Sequence, residues 1–113
     1  MEKIVEQGLL YDFYGELLTE HQKKIYEAAV YNDMSLTEIA DENGISKQGV
    51  HDLIKRCTNT LQGYEDRLHM IKRFEAIKAQ AEKLEVLSDE IENDTELKMK
   101  VKKISGRILE ELT

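Results

Sequence analysis

The chain has 113 residues and a formal net charge of −7, with 41% hydrophobic residues, no proline, no tryptophan and a single cysteine. That length holds one ordinary domain with a modest core, and a composition led by Glu, Lys, Leu and Ile without proline implies an all-α fold. Cys57 alone makes no internal disulfide, the amino terminus begins no charged-then-apolar export signal, and no apolar run approaches the ~20 residues of a membrane span, so a cytoplasmic protein is expected.

In chain order, the first helix is expected from about Lys3 to Leu18. Ile4, Leu9 or Leu10, Phe13, Leu17 and Leu18 repeat near the helical period there, and Tyr11 and Tyr14 flank that stripe. Thr19 and Gln22 then form a capping box, the arrangement whose two side chains satisfy free amides at a helix start. It opens a second helix near Glu20 that turns Ile25, Ala28 and Ala29 inward and ends around Tyr31. Ser35 and Glu38 repeat the box ahead of a short third helix, buried through Leu36, Ile39 and Ala40 and stopping at Asn43-Gly44. Glycine tolerates the left-handed conformation that reverses a chain after a helix. Ile45 plugs the gap, and Ser46 caps a fourth helix whose apolar side is Val50, Leu53, Ile54, Cys57 and Leu61.

The small Ala40, the Gly44 corner and the apolar Ile45 and Val50 stand where a helix-turn-helix requires them. A plain bundle corner is the alternative that spacing leaves open. In the helix-turn-helix case the fourth helix presents Lys47, Gln48 and His51 to base edges and Lys55 and Arg56 to phosphates, whereas in the plain case these are an ordinary solvated face. Asp52 among them and Gly49 inside the helix weigh toward the plain case.

From Met70 the positions Met70, Phe74, Ile77, Ala81, Leu84, Ser88 and Ile91 alternate four and three, the seam of a coiled coil or of a long helix with a partner. Leu61, Tyr64, Leu68 and Ile71 extend it upstream as a displaced stripe, so one long helix is expected. After the polar stretch SDEIENDT, Thr95 is expected to cap a last helix with Leu97, Val101, Ile104 and Ile108 inward. Its outward face carries a secondary basic patch, Lys98, Lys100, Lys102, Lys103 and Arg107. A short turn between two helices implies an antiparallel hairpin, and the long stripe implies a homodimer with Met70, Phe74, Ile77, Ala81, Leu84 and Ile91 as its seam.

The charge is unevenly spread. Residues 1–45 hold three Lys or Arg against ten Asp or Glu, whereas residues 46–113 are balanced at thirteen of each. The acidic part repels phosphate, and the balanced remainder has basic clusters that accept it. An enzyme is not expected: His21, His51 and His69 lie far apart, none stands with Cys57 at metal-ligand spacing, and there is no glycine-rich phosphate loop, so no cofactor and no metal are implied.

Residues 18–61, LTEHQKKIYEAAVYNDMSLTEIADENGISKQGVHDLIKRCTNTL, resemble the fourth conserved region of bacterial sigma factors and related LuxR-type helix-turn-helix units. There, Leu-Thr-x-x-Gln precedes Ser-Leu-x-Glu-Ile-Ala, Gly-Ile-Ser and a recognition helix. With LLYDFYGELLTEHQ in front, from Leu9, the chain resembles the YlxM family of small bacterial proteins over nearly its whole length. The resemblance implies a sigma factor region 4-like helix-turn-helix domain at residues 1–64, with a long helix and a shorter return helix over residues 65–113 as a packing or dimerisation extension. It further implies a regulatory role in the signal recognition particle pathway, with the particle's RNA, DNA or its GTPases as partners. A DNA-binding transcription regulator is the alternative.

Overall fold

A computed structural model describes residues 2–113. Among them are six α-helices and no strand: α1 (Lys3–Tyr14), α2 (Glu20–Val30), α3 (Leu36–Asn43), α4 (Lys47–Leu68), α5 (Met70–Ser88) and α6 (Thr95–Glu111), with a 3-10 turn, Gly15–Leu17, after α1. The protein is all-α. It divides into two compact units, one ending at Ile71 and one spanning Lys72–Thr113.

Local chemistry sets the helix boundaries of the first unit. Gln22 and Thr19 exchange hydrogen bonds, amide to hydroxyl at 3.2 Å and amide to side-chain carbonyl at 2.9 Å, and Glu38 and Ser35 do the same at 3.1 and 3.2 Å. Both capping boxes are therefore complete. Gly44 takes φ +65°, and its N–H and that of Ile45 both return to the Ala40 carbonyl, closing α3 and turning the chain toward α4. Ser46 caps α4 by accepting the Gly49 N–H at 2.9 Å.

Two apolar clusters hold these helices. Ile25, Ala28, Ile39, Ala40 and Val50 gather α2, α3 and α4, and Leu10, Tyr14, Leu18, Tyr26, Cys57 and Leu61 gather α1, α2 and α4. Leu53 and Ile54 pack against both, so α4 is the shared spine. The first helix is shorter than its apolar stripe suggests. Tyr14 leaves helical geometry (φ −125°, ψ −1°), the chain tightens into the 3-10 turn, and Leu17 is left exposed while Leu18 is buried.

Two tyrosines lie deeper than their polarity implies. Tyr26 and Tyr14 are 0% and 2% exposed, each with its hydroxyl partnered: Tyr26 with Thr58 Oγ1 at 2.8 Å, and Tyr14 donating to Glu65 Oε1 at 2.6 Å. Tyr11 of α1 reaches Glu27, and Tyr31, just after α2, reaches Asp12. Burial, and for Tyr14 and Tyr11 also the neighbouring carboxylates, push the phenols of Tyr26, Tyr14 and Tyr11 above their ordinary range.

The single long helix expected downstream of α4 is interrupted at His69, which takes the left-handed conformation at φ +55°. The interruption frees the amides that begin α5. Met70 N–H donates to the Tyr14 hydroxyl at 3.2 Å and Ile71 N–H to Glu65 Oε1 at 2.9 Å, so both find partners.

In the second unit α6 runs back along α5. Lys102 pairs with Asp89, Gly106 faces Glu85, and Ile108 lines a hollow with Ile77, Ala81 and Leu84. Asp94, rather than the expected Thr95, caps α6 by accepting the Leu97 N–H at 2.9 Å. The inner face also differs from the apolar spacing. Val101 and Ile108 are half-buried as expected, but Ser105 is fully buried where Ile104 was expected, and Leu97 and Ile104 are exposed. Small residues permit a close helix approach, and Ala81 and Ser88 are the buried residues of α5. The hydroxyls of Ser88 and Ser105 donate to carbonyls of their own helices, Glu85 at 2.6 Å and Lys102 at 3.1 Å.

Along the expected seam, Ala81 is buried and Phe74 half-buried, whereas Met70, Ile77 and Leu84 are exposed. Ile91 cannot extend that helical stripe, because α5 ends at Ser88 and the chain turns through Asp89 and Glu90.

Candidate nucleic-acid interface

The α3–Gly44–α4 corner leaves the beginning of α4 facing solvent. Ser46 holds the helix start, and a Cβ at Gly49 would stand 3.0 Å from Ser46 Oγ, so a glycine here leaves room for the cap. The residue that loosens the helix by propensity thus accommodates its first hydrogen bond. Val50 is buried against Ile39 and Ala40, which fixes the rotation of α4 about its axis and turns the opposite side outward.

That outward side carries the five expected residues. Lys47, Gln48, His51, Lys55 and Arg56 are all exposed. Lys47, Gln48 and His51 surround a hollow of about 370 Å³ together with Leu36 of α3. Lys55 lies one turn beyond His51, and Arg56 is displaced around the helix. Among the described residues Lys47, Lys55 and Arg56 form no ion pair, so their charges are not neutralised within the chain.

Asp52 organises part of this face. Its Oδ1 accepts the Gln48 side-chain amide at 2.9 Å and lies 3.6 Å from His51 Nδ1. An adenine edge takes one N–H and the carbonyl oxygen of a glutamine side chain, and because the amide carries two N–H groups, Asp52 holds one and leaves the other and Oε1 open. The carboxylate also lowers the net positive charge of this face.

The other groups singled out in the sequence are dispersed. Lys100 pairs with Glu96 and Lys102 with Asp89, which partly neutralises the α6 basic patch, Lys98 is half-buried, and Lys103 and Arg107 are exposed. Cys57 is buried, and burial raises its thiol pKa. Among the described residues no three His, Cys, Asp or Glu side chains are grouped to hold a metal, and no helix is long and apolar enough to cross a membrane. Sequence spacing did not bring Lys3 and Gln7 of α1 to this region, yet they line a second hollow with His51 and Lys55. Only the contact of α1 with α4 brings them there.

Residues 1–104 match the family UPF0122, described as "Putative helix-turn-helix protein, YlxM / p13 like". A UPF0122 protein of Thermoanaerobacter sp. (strain X514) is 40% identical over 107 residues, covering 92% of this chain and 91% of the relative. One from Acetivibrio thermocellus is 45% identical over 89 residues, covering 79% and 74%, and one from Symbiobacterium thermophilum is 48% identical over 71 residues, covering 63% and 66%.

Proposed function

The chain belongs to the YlxM/p13-like family of helix-turn-helix proteins, and from that premise we propose that it is a non-enzymatic regulatory protein whose α4 contacts nucleic acid. The observation that carries this reading is the exposed set Lys47, Gln48, His51 and Lys55 on the helix that follows the Gly44 corner. A helix so presented enters a DNA major groove, with its first residues at base edges and later ones at phosphates. The deep, narrow major groove of an RNA duplex does not admit it. Duplex DNA is therefore the ligand the geometry favours.

A second reading places the protein in the signal recognition particle pathway, in contact with the particle's RNA or its GTPases. It rests on the family resemblance, and the excess of acidic residues over residues 1–45 supports its protein branch, because that charge opposes a phosphate backbone and suits a basic protein partner. In either reading residues 1–64 are the contacting domain, residues 65–113 the extension, and the protein works in the cytoplasm. The exposed Ile77 and Leu84 support pairing of two copies through the extension, whereas Ala81, expected on the same seam, is buried within it. Light scattering at micromolar concentration checks this, since the monomer mass of 13.1 kDa is incompatible with a dimer.

The decisive experiment is a salt series of binding to labelled genomic duplex DNA and to particle RNA, with a Lys47→Glu, Lys55→Glu, Arg56→Glu variant alongside. Sequence-selective duplex binding lost in the variant establishes the DNA reader. RNA binding without DNA binding moves the assignment to the particle, and binding of neither moves it to the GTPases.

A further inference from the structure

We propose that the cleft between the start of α1 and the middle of α4 seats a backbone phosphate of the nucleic acid held by α4, with the ammonium groups of Lys3 and Lys55 as its positive wall and the His51 side chain beside them. The proposal rests on the reading that α4 contacts nucleic acid, and it extends the interface onto a helix outside the helix-turn-helix.

The cleft has a volume of about 400 Å³ and is bordered by Lys3, Gln7, His51, Lys55, Thr58 and Asn59. Among the described residues its lining includes no carboxylate, although residues 1–45 contain ten acidic side chains against three basic ones. Glu2 and Glu6 are close to Lys3 in the chain but do not line the cleft. Among the described residues neither Lys3 nor Lys55 is in an ion pair, so both ammonium groups are available to an incoming anion. The neutral donors suit a phosphodiester as well, since Gln7 and Asn59 carry amide N–H groups and half or more of protein–DNA hydrogen bonds go to the backbone.

The wall is held in place from behind. Gln7 Nε2 donates to Thr58 Oγ1 at 3.3 Å, and the Thr58 hydroxyl donates to the Ile54 carbonyl at 2.9 Å and lies 2.8 Å from the buried Tyr26 hydroxyl. The position is what ties the cleft to the reader. His51 and Leu36 line both this cleft and the hollow at the start of α4, so the two are consecutive along one face. Lys47, His51, Lys55 and Asn59 descend that face at four-residue steps, one turn each. A strand whose bases meet Lys47 and Gln48 carries its backbone past His51 into the cleft, where Lys3 approaches from α1.

The test is anisotropy of a labelled duplex across a salt series with the full chain, comparing wild type, Lys3→Gln and Lys47→Gln. Lys3 is exposed, and circular dichroism of the Lys3→Gln variant confirms that the helices are intact. The expected result is that Lys3→Gln weakens every sequence alike and lowers the slope of log affinity against log salt by about 1, whereas Lys47→Gln changes sequence preference. Wild-type slope and affinity in Lys3→Gln, with binding still impaired in Lys47→Gln, overturns the phosphate seat and leaves the reader intact. No duplex binding by wild type overturns both. Inorganic phosphate is titrated in parallel by NMR. If it saturates the cleft in wild type but not in Lys3→Gln, while duplex binding is indifferent to Lys3, the site serves a free phosphate and the backbone assignment fails.

Discussion

Among the described residues, the most deeply buried side chains of the unit that ends at Ile71 are Tyr14, Ile25, Tyr26, Ile39, Val50, Cys57 and Leu61, whereas in the unit Lys72–Thr113 they are the small Ala81, Ser88 and Ser105. Several large apolar residues of the second unit, Ile77, Leu87, Leu97, Met99 and Ile104, stay about half exposed or more. Burying a Leu or Ile side chain contributes roughly 1.5–3 kcal/mol, and burying a serine whose hydroxyl bonds its own helix contributes little. The helix-turn-helix is therefore a core-driven fold. The hairpin relies on helix propensity and close approach through small residues, and it keeps its apolar surface free.

The largest effect that separates the two units is Ile39→Ala, at the fully buried centre of the α2, α3 and α4 cluster. We expect a loss of about 2–5 kcal/mol, read as a fall in the urea midpoint together with loss of duplex binding. Ala81→Gly or Ser88→Ala, by contrast, removes almost no apolar area. The informative change in the hairpin adds volume. Ser105→Leu forces a large side chain into the close approach of α6 and should destabilise the second unit by about 1–3 kcal/mol, while leaving the tyrosine near-ultraviolet signal of the first unit unchanged. A loss in that signal would mean the two units do not unfold separately.

How much of this was readable in the sequence follows from how local each determinant is. The capping boxes, the Gly44 corner and the Ser46 cap each lie within four residues, and all three form as their residue types dictate. The exposed positions of Lys47, Gln48, His51 and Lys55 follow from the same helical spacing, with Val50 as the buried reference. Tyr14 and Tyr26 were not readable as core. A tyrosine is buried at low cost only when its hydroxyl has a partner, and Glu65 and Thr58 are 51 and 32 positions away. The break at His69 is hidden for the same reason, since its freed amides are satisfied by Tyr14 and Glu65, and no glycine marks the left-handed residue. In α6 the apolar spacing pointed to Ile104, one helical position from the true inner residue Ser105, because close packing selects small volume over hydrophobicity. Lys3 reaches the α4 face through tertiary packing alone.

The Tyr14 hydroxyl sharpens the comparison with a polar change of smaller size. Tyr14→Phe keeps the ring in the core but leaves Met70 N–H without its acceptor and removes one bond to Glu65, for an expected loss of about 1–2 kcal/mol in the urea midpoint. The pH dependence has a fixed sign. Tyr14 and Tyr26 have folded-state phenol pKa values raised by burial above the unfolded value of about 10. Below that pH both states hold the proton and the contribution of these two phenols is constant. Above it the unfolded chain releases the proton while the folded chain retains it, so stability falls as pH rises from about 10 toward the folded values. In the Tyr14→Phe, Tyr26→Phe variant the alkaline fall should be shallower, checked by urea midpoints between neutral and alkaline pH.

The smallest expected effect is at Ile104, and its smallness is what makes it useful. The side chain is 57% exposed on the unit with the slight core, so Ile104→Gln removes little burial and should move the thermal midpoint of an isolated chain by no more than the scatter of surface substitutions, within about 0.5 kcal/mol. If a second copy covers this surface, the same substitution acts on association instead. The thermal midpoint then depends on protein concentration in the wild type and loses that dependence in the variant, as linkage between folding and assembly requires. A midpoint independent of concentration in both proteins would mean that the exposed apolar residues of the hairpin are not paired with another copy under those conditions. The contrast between a core-driven reader and a surface-rich hairpin would then rest on the hairpin's own helices.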